Sequence, residues 1–209
     1  MNEVFVRATC DTFHNSRTSN LRIEGLKDIS TQTVDLLNEV KDKFPLLNIT
    51  VSCWESHDWN DSKEFMERTE YHSMISSVHL FPSKLEEPDI SLFPNLTKMT
   101  LFYNQLERTS SQHPLQFSPH DKLKKLDISL YTPLEGPLDI DLHKLTNLRS
   151  FRFYGRADQL SLNGLPTSLE RLSIIATGKT YMCPLNLPTN LKILNVNGFL
   201  GQKFPEIVN

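Results

Sequence analysis

The C-terminal half of the chain repeats one pattern of apolar positions. Each copy reads apolar-x-x-apolar-x-apolar, and the copies begin at Leu96, Leu123, Leu148, Leu169 and Leu191. The intervals between these positions (96 to 123, 123 to 148, 148 to 169, 169 to 191) are 27, 25, 21 and 22 residues. The end of each copy alternates as a strand with one buried face does. One such coil cannot bury its own apolar face, so the pattern predicts a stack of coils, a solenoid.

Weaker copies of the pattern extend toward the N-terminus. They begin at Ile75 and Leu46, and more loosely at Thr18, which gives about eight coils in all. We therefore predict a single α/β solenoid domain over residues 1–209, in which each coil contributes one strand to a parallel sheet on the concave side.

The intervals between copies predict the convex side of the solenoid. Within 18–74 the coils are long, and the segments 31–44 and 61–71 have helical spacing or a helix-capping pattern, so helices are expected there. Within 75–209 the coils are shorter and contain Leu-Pro-Thr turns, so short extended returns are expected. Segment 105–121 is rich in Ser and Pro and is predicted to be a surface loop.

The repeats resemble those of intracellular leucine-rich-repeat proteins. The phrases LPTSLERL (165–172) and LPTNLKIL (187–194) are similar to the irregular repeats of fungal F-box/leucine-rich-repeat proteins. The resemblance covers about residues 75–200 well and 18–74 weakly. It implies a leucine-rich-repeat fold and a role in holding a protein, as in the substrate-recognition adaptors of ubiquitin ligases. Residues 1–20 are too short for the helices of an F-box.

Outward positions of the strands supply the candidate partner-binding residues, because alternate residues of a strand face opposite sides. Phe81 and Phe102 are predicted to share a row on adjacent coils, with Tyr154 two coils further on. Exposed aromatic residues with arginine and polar neighbours are common anchors of interfaces. The predicted partner-binding residues are His79, Phe81, Thr100, Phe102, Tyr103, Asp127, Arg152 and Tyr154. The alternative is that the phenylalanines pack locally or are covered by the loop 105–121.

The sequence predicts no catalytic residue, no metal site and no cofactor. Its seven His and three Cys are scattered and form no HExxH, HxH or CxxC motif, and no glycine-rich phosphate loop is present. We therefore expect a protein that is not an enzyme. An enzymatic or GTPase-activating role would need a catalytic arginine on a loop, and nothing distinguishes Arg108 or Arg156, which follow strands.

Charge and composition restrict the class of partner molecule and the cellular compartment. The net charge of −3 and the pI of about 6.2 argue against nucleic acid or an anionic membrane as partner. No apolar run reaches the length of about 18 residues of a membrane-spanning helix, and the first residues do not resemble a signal peptide. Three Cys without a pairing pattern favour a reducing compartment, so an intracellular location, cytoplasmic or nuclear, is expected.

The sequence is consistent with two functions. The first is a protein-interaction module that binds a partner on its concave face, with a ubiquitin-ligase adaptor as the example that the resemblance implies. The second is a structural subunit of a stable, larger complex. The second is favoured by the end of the chain, 202–209, which follows the last coil without a polar capping helix, so that another chain or segment is expected to cover that coil.

Overall fold

The computed structural model describes residues 6–7, 20–24, 39–40, 42–43, 48–52, 72–73, 75–82, 90–104 and 114–198. Within these residues almost all the regular secondary structure is strand. Their bounds are β1 Val6–Arg7, β2 Asn20–Glu24, β3 Asn48–Ser52, β4 Ile75–Leu80, β5 Lys98–Tyr103, β6 Lys125–Leu130, β7 Leu134–Asp141, β8 Ser150–Gly155, β9 Ala157–Asn163, β10 Arg171–Ala176, β11 Tyr181–Met182 and β12 Ile193–Asn197. A short 3₁₀ turn occupies Ile90–Leu92.

The strands form two sheets, which we call the large sheet and the small sheet. The large sheet has nine strands in the order β1-β2-β3-β4-β5-β6-β8-β10-β12, and all its neighbours are parallel except β1 and β2. The small sheet has three parallel strands in the order β11-β9-β7. Because β7, β9 and β11 each lie between two consecutive strands of the large sheet along the chain, the molecule is a parallel β-solenoid of about five turns.

The solenoid predicted from the repeat pattern is therefore confirmed in its coarse form. Strands occur at the starts of all the predicted coils, and the C-terminal returns are extended, as expected. The segments that join β2 to β3 and β3 to β4 lie largely outside the described residues, so the full count of eight coils is not established. The predicted helix 61–71 also lies outside them. Of the predicted helix 31–44 only 39–40 and 42–43 are described; they are helical, and Val40 packs against the core, but helices on the convex side are not shown.

The core lies between the two sheets. The leading leucines of four repeat copies, Leu96, Leu123, Leu148 and Leu169, are fully buried. The inward positions of the large sheet join them, as do Leu138 and Ile140 of β7 and Leu160 and Leu162 of β9. Because burial of each such side chain is worth roughly 1.5–3 kcal/mol, the stacked apolar layers are the main stabilising feature of the coils.

Polar side chains tie each coil to the one before it. The residue that precedes a leading leucine donates a hydrogen bond to a backbone carbonyl one coil earlier. Asn95 Nδ2 donates to Ser73 O at 2.7 Å, Asn147 Nδ2 to Asp121 O at 2.7 Å, Ser168 Oγ to Leu148 O at 2.8 Å and Asn190 Nδ2 to Thr167 O at 2.9 Å. These bonds satisfy carbonyl groups at the turns, where the sheet ladder has not yet begun.

Segment 105–121 is not the surface loop that its composition predicts, at least over its described part, 114–121. Leu115 and Phe117 are buried, and Leu115 forms a parallel bridge with Ile140 of β7. Within 114–121 the expected exposure fails at Leu115 and Phe117, whose spacing of two is the pattern of a strand with one buried face. Residues 105–113 lie outside the described residues.

His120 anchors the turn that enters β6. Its Nε2 lies 2.8 Å from the carbonyl oxygen of Phe93, one coil earlier, and its Nδ1 accepts from the amides of Lys122 at 3.2 Å and Leu123 at 3.0 Å. This geometry requires the neutral ring with its proton on Nε2, since Nδ1 acts as an acceptor. His120 is thus a structural residue that joins two coils.

The register between β3 and β4 differs from the repeat alignment. That alignment would set Val51 opposite Leu80, but Val51 pairs with Val78, and the register shifts between Ile49 and Thr50. The bulge adds one residue to β4 and brings Ser52 opposite His79. Two consecutive serines, Ser76 and Ser77, give the sequence no apolar residue that would fix one register over the other.

Candidate functional site

The face of the large sheet that points away from the core, here called the outer face, carries residues in straight rows. Parallel in-register pairing places equivalent residues about 4.8 Å apart on neighbouring strands. From β4 to β12 the rows are Ser77-Lys98-Lys125-Ser150-Arg171-Ile193 and His79-Thr100-Asp127-Arg152-Ser173-Asn195, and from β5 to β12 the third row is Phe102-Ser129-Tyr154-Ile175-Asn197. Most of the predicted partner-binding residues therefore share this face.

Four rings stack near the C-terminal ends of β4, β5 and β6, and we call them the aromatic cluster: His79, Phe81, Phe102 and Tyr131. Phe102 lies at its centre. Its ring centroid is 5.0 Å from that of Phe81, 6.1 Å from that of Tyr131 and 6.2 Å from that of His79, and the ring planes are within 12–24° of parallel. Phe102 and Phe81 are half-buried, whereas Tyr131 is 61% exposed.

Tyr131 was not among the predicted site residues. It comes directly after β6, and its amide donates to the carbonyl of Tyr103 at 3.0 Å, which extends the ladder by one residue and brings its ring beside Phe102. The sequence could have indicated Tyr131, because it occupies the position directly after a strand, as Phe81 does after β4.

Tyr154 belongs to the same row as Phe102 but lies two strands away, with Ser129 between them. Parallel strands are about 4.8 Å apart, so the two rings are separated by about 10 Å along the row. The structure therefore places Tyr154 on the predicted face and outside the aromatic cluster.

Tyr103 corrects the prediction, because it faces the core and not the partner side. It follows Met99 and Leu101 at the inward positions of β5, and all three are fully buried. Its phenol oxygen has no hydrogen-bond partner among the described residues, and burial raises the pKa of the Tyr103 phenol. Tyr103 is thus a core residue with an unsatisfied polar atom.

We expect Tyr103→Phe to raise the free energy of unfolding by up to about 1 kcal/mol. The substitution keeps the ring and removes a buried hydroxyl whose desolvation is not offset by a hydrogen bond. Urea denaturation followed by circular dichroism measures the change. A loss of stability would show that the hydroxyl is hydrogen-bonded in solution and would contradict the assignment.

Two predicted site residues, Thr100 and Asp127, are neighbours in one row. Thr100 is buried on the outer side of β5, beneath its neighbours, and its hydroxyl has no partner among the described residues. Asp127 Oδ2 lies 3.2 Å from Lys125 Nζ. Arg152, the next residue of the row, is exposed and forms no ion pair within the described part of the chain.

The two sheets differ in the charges of their strands. From β4 onward, the strands of the large sheet carry Lys98, Lys125, Arg152 and Arg171 against the single acid Asp127. The strands of the small sheet carry no Lys or Arg, and their charged residues are Glu135, Asp139, Asp141 and Asp158. The strand residues of the two sheets therefore carry opposite net charge.

Some cations near the outer face are neutralised by Glu170, which lies at the edge where β10 begins. Glu170 accepts a hydrogen bond from Lys192 Nζ at 3.0 Å and lies 3.9 Å from Arg149. The hydrogen bond from Lys192 holds the pKa of the Glu170 carboxyl below its usual value. Lys98 and Arg152 have no such partner among the described residues, whereas Arg171 interacts with Glu170 through its charge without an ion pair within 4 Å. The hydrogen-bonding groups of the two arginines are therefore open to an anionic group.

The described residues hold no cluster of three or more His, Cys, Asp or Glu able to bind a metal ion. A single His-carboxylate pair, His143 Nδ1 and Asp141 Oδ1 at 2.8 Å, lies on the surface after β7 and is more than half exposed at the histidine. In the same part of the chain, no helix is long and apolar enough to cross a membrane.

Comparison of the chain with protein-family models, with curated proteins and with solved structures found no match.

Proposed function

We propose that the chain is a protein-interaction module of the leucine-rich-repeat type that binds a partner protein on the outer face of its large sheet. The observation that carries the proposal is the aromatic cluster, in which Phe102 stacks on Phe81, His79 and the exposed Tyr131. Stacked aromatic side chains that remain accessible beside arginine are the usual energetic centres of protein interfaces. In this proposal the sheet is concave, the full solenoid has eight coils, and the protein is intracellular and not an enzyme.

A substrate-recognition adaptor of a ubiquitin ligase is the cellular role that fits the sequence resemblance. In that role the outer face holds the substrate, and the ligase is recruited by a segment or subunit other than the repeats. The proposal is supported by the repeat phrases and by the accessible outer face. It requires that the outer face bind the substrate and no other protein.

A second candidate function, a structural subunit of a stable complex, rests on a different observation. Around β12, Leu191, Leu194 and Val196 are only partly buried, and Ile193 is 48% exposed. Apolar side chains left exposed on a coil are costly to a solenoid in water, so a permanent neighbour that covers them would stabilise it.

The test is an affinity capture from cell lysate with the wild type and with a triple variant, Phe81→Ala, Phe102→Ala and Tyr154→Ala. We expect a specific partner to be lost from the variant, or weakened by at least about tenfold, because each anchor of this kind contributes more than about 1 kcal/mol. Circular dichroism of the variant confirms that it is folded.

Two single variants sharpen the result. Tyr131→Ala removes an aromatic side chain that is 61% exposed in the cluster, and Tyr181→Ala removes one that is 62% exposed on the small sheet. Loss of the partner with the first variant and retention with the second supports the outer face. A partner that stays bound to every folded variant assigns binding to the ends of the solenoid and favours the structural-subunit function.

A further inference from the structure

Two lysines of the outer face stand directly opposite each other. Lys98 of β5 and Lys125 of β6 are register partners, so their Cα atoms are about 4.8 Å apart. Like charges in this position destabilise a sheet. Asp127 compensates Lys125 alone, at 3.2 Å, whereas Lys98 has no ion-pair partner among the described residues. The large sheet therefore keeps a charge arrangement that an anionic partner would relieve.

The remaining cations of this face lie further along the solenoid. Arg152 of β8 and Arg171 of β10 are on adjacent strands, both are exposed, and neither has an ion-pair partner among the described residues. The chain as a whole has a net charge of −3, and its small sheet is acidic, so the basic outer face is a local feature and not a consequence of overall composition. Such segregated charge selects and orients an oppositely charged partner.

The distances between the aromatic cluster and the two arginines set the length of an extended ligand that could contact both. In a flat parallel sheet with strands about 4.8 Å apart and a rise of about 3.3 Å per residue, the Cα of Phe102 is about 12 Å from that of Arg152 and about 20 Å from that of Arg171. An extended peptide rises about 3.3 Å per residue, so these distances correspond to about four and about six residues. Residues four and six positions from an aromatic residue lie on its side of an extended peptide, so carboxylates at these spacings face the sheet together with it.

We infer that the segment of the partner that docks on the outer face is an extended acidic peptide, in which an aromatic residue binds the aromatic cluster and carboxylates about four and about six residues away meet Arg152 and Arg171. The inference rests on the proposed function and specifies the chemistry of its partner. Arginine pairs with carboxylates through two parallel hydrogen bonds, which gives this recognition geometric selectivity as well as affinity.

The same face is poorly suited to a nucleic acid. Asp127 forms an ion pair with Lys125, so the cations of this face that remain unpaired among the described residues are few. Double-stranded DNA carries one charge per about 1.7 Å of its axis, whereas this face offers its unpaired cations at intervals of one or more strands. The outward Ile175 and Ile193 also favour a peptide, whose apolar side chains they can contact.

The test is a selection of phage-displayed random peptides on the immobilised full chain. Three proteins are used in parallel: the wild type, the double variant Arg152→Glu and Arg171→Glu, and the control Lys144→Glu and Lys179→Glu. The control makes the same change in net charge in the turns after β7 and β10, away from the outer face. A fourth selection on Phe102→Ala tests the aromatic anchor, and circular dichroism confirms that every variant is folded.

We expect the wild type and the control to enrich peptides with one aromatic residue and acidic residues about four and six positions away. The arginine variant should lose the acidic preference, and Phe102→Ala the aromatic one. A fluorescein-labelled peptide of the enriched sequence should bind the arginine variant at least about tenfold more weakly, and its affinity should fall as the salt concentration rises from about 0.05 M to 0.5 M.

Other outcomes overturn the inference in distinguishable ways. Enriched peptides that depend on Phe102 but show no acidic preference contradict the inference and leave the proposed function standing. Selections that enrich nothing contradict the inference alone, and enriched peptides that bind Phe102→Ala as well as the wild type contradict both. Tighter binding of a labelled oligothymidylate than of the selected peptide, lost in the arginine variant, would assign the face to single-stranded nucleic acid.

Discussion

Phe153→Ala is expected to lower the free energy of unfolding by about 3–5 kcal/mol, the cost of deleting a large side chain from a packed core. Phe153 is fully buried in β8, and its register partners are Ile128 of β6 and Ile174 of β10. The substitution therefore leaves a cavity between three consecutive coils. Urea denaturation with linear extrapolation measures the loss.

The urea transition of Phe153→Ala is also expected to lose cooperativity. A solenoid is stabilised by contacts between neighbouring coils, so weakening a central coil uncouples the coils on either side. Both tryptophans, Trp54 and Trp59, precede β4 in the sequence, so fluorescence follows the N-terminal part while circular dichroism follows the whole chain. We expect the two signals to separate in Phe153→Ala and to coincide more closely in the wild type.

Phe153→Leu is the matched control for this experiment. It keeps most of the buried volume and should cost less than about 1.5 kcal/mol without separating the two signals. If Phe153→Ala and Phe153→Leu have equal effects, the packing of β8 against its neighbours is not what couples the coils.

Gly155→Ala is the second substitution with a large expected effect, about 3–5 kcal/mol of destabilisation. Gly155 ends β8 with a φ of +149°, a conformation that residues with a side chain rarely adopt. A Cβ atom there would lie 2.6 Å from the Cβ of Leu130 and 2.8 Å from its carbonyl oxygen. The carbonyl oxygen of Leu130 belongs to the backbone of the adjacent coil. Relief of this steric clash therefore requires the coils to move apart.

Gly136 separates the two contributions. It also has a positive φ, +114°, but a Cβ atom there would have no neighbour within 4 Å. Gly136→Ala should therefore cost only the backbone strain, about 1–3 kcal/mol, and the difference between the two variants measures the steric part at Gly155. Thermal unfolding of both variants gives the comparison, and equal losses would contradict a steric role for Leu130.

The sequence predicted the elements of the solenoid well where apolar residues alone determine the structure. Leu96, Leu123, Leu148 and Leu169 are buried as the repeat pattern requires, and strands follow each of them. It did not predict that the returns would pair into a small sheet. Leu160 and Leu162 show the alternation of a strand, but their partners in β7 become neighbours only after the coils stack.

The candidate site was predicted in part, and its errors have physical causes. Tyr103 was included among the partner-binding residues because it lies near Phe102 at the edge of the strand, but its alternation with Met99 and Leu101 puts it in the core. Tyr131 was missed because it follows the strand and reaches Phe102 only through the stacking of adjacent coils. Whether these residues bind a partner remains a prediction for the capture experiments.

The hydrogen bonds that link each coil to its predecessor make the coil an interchangeable unit of length. Asn147 and Ser168 use the same position and the same kind of acceptor, so a duplicated stretch such as 148–168 would find its ladder partners already in place. Because this stretch contains β8, the duplicate would add a second copy of Arg152 and would place Arg171 one strand, about 4.8 Å across the sheet, further from the aromatic cluster. Gain or loss of a single repeat during evolution would thus change the distance between the two groups of a ligand that the face binds, without the substitution of any side chain.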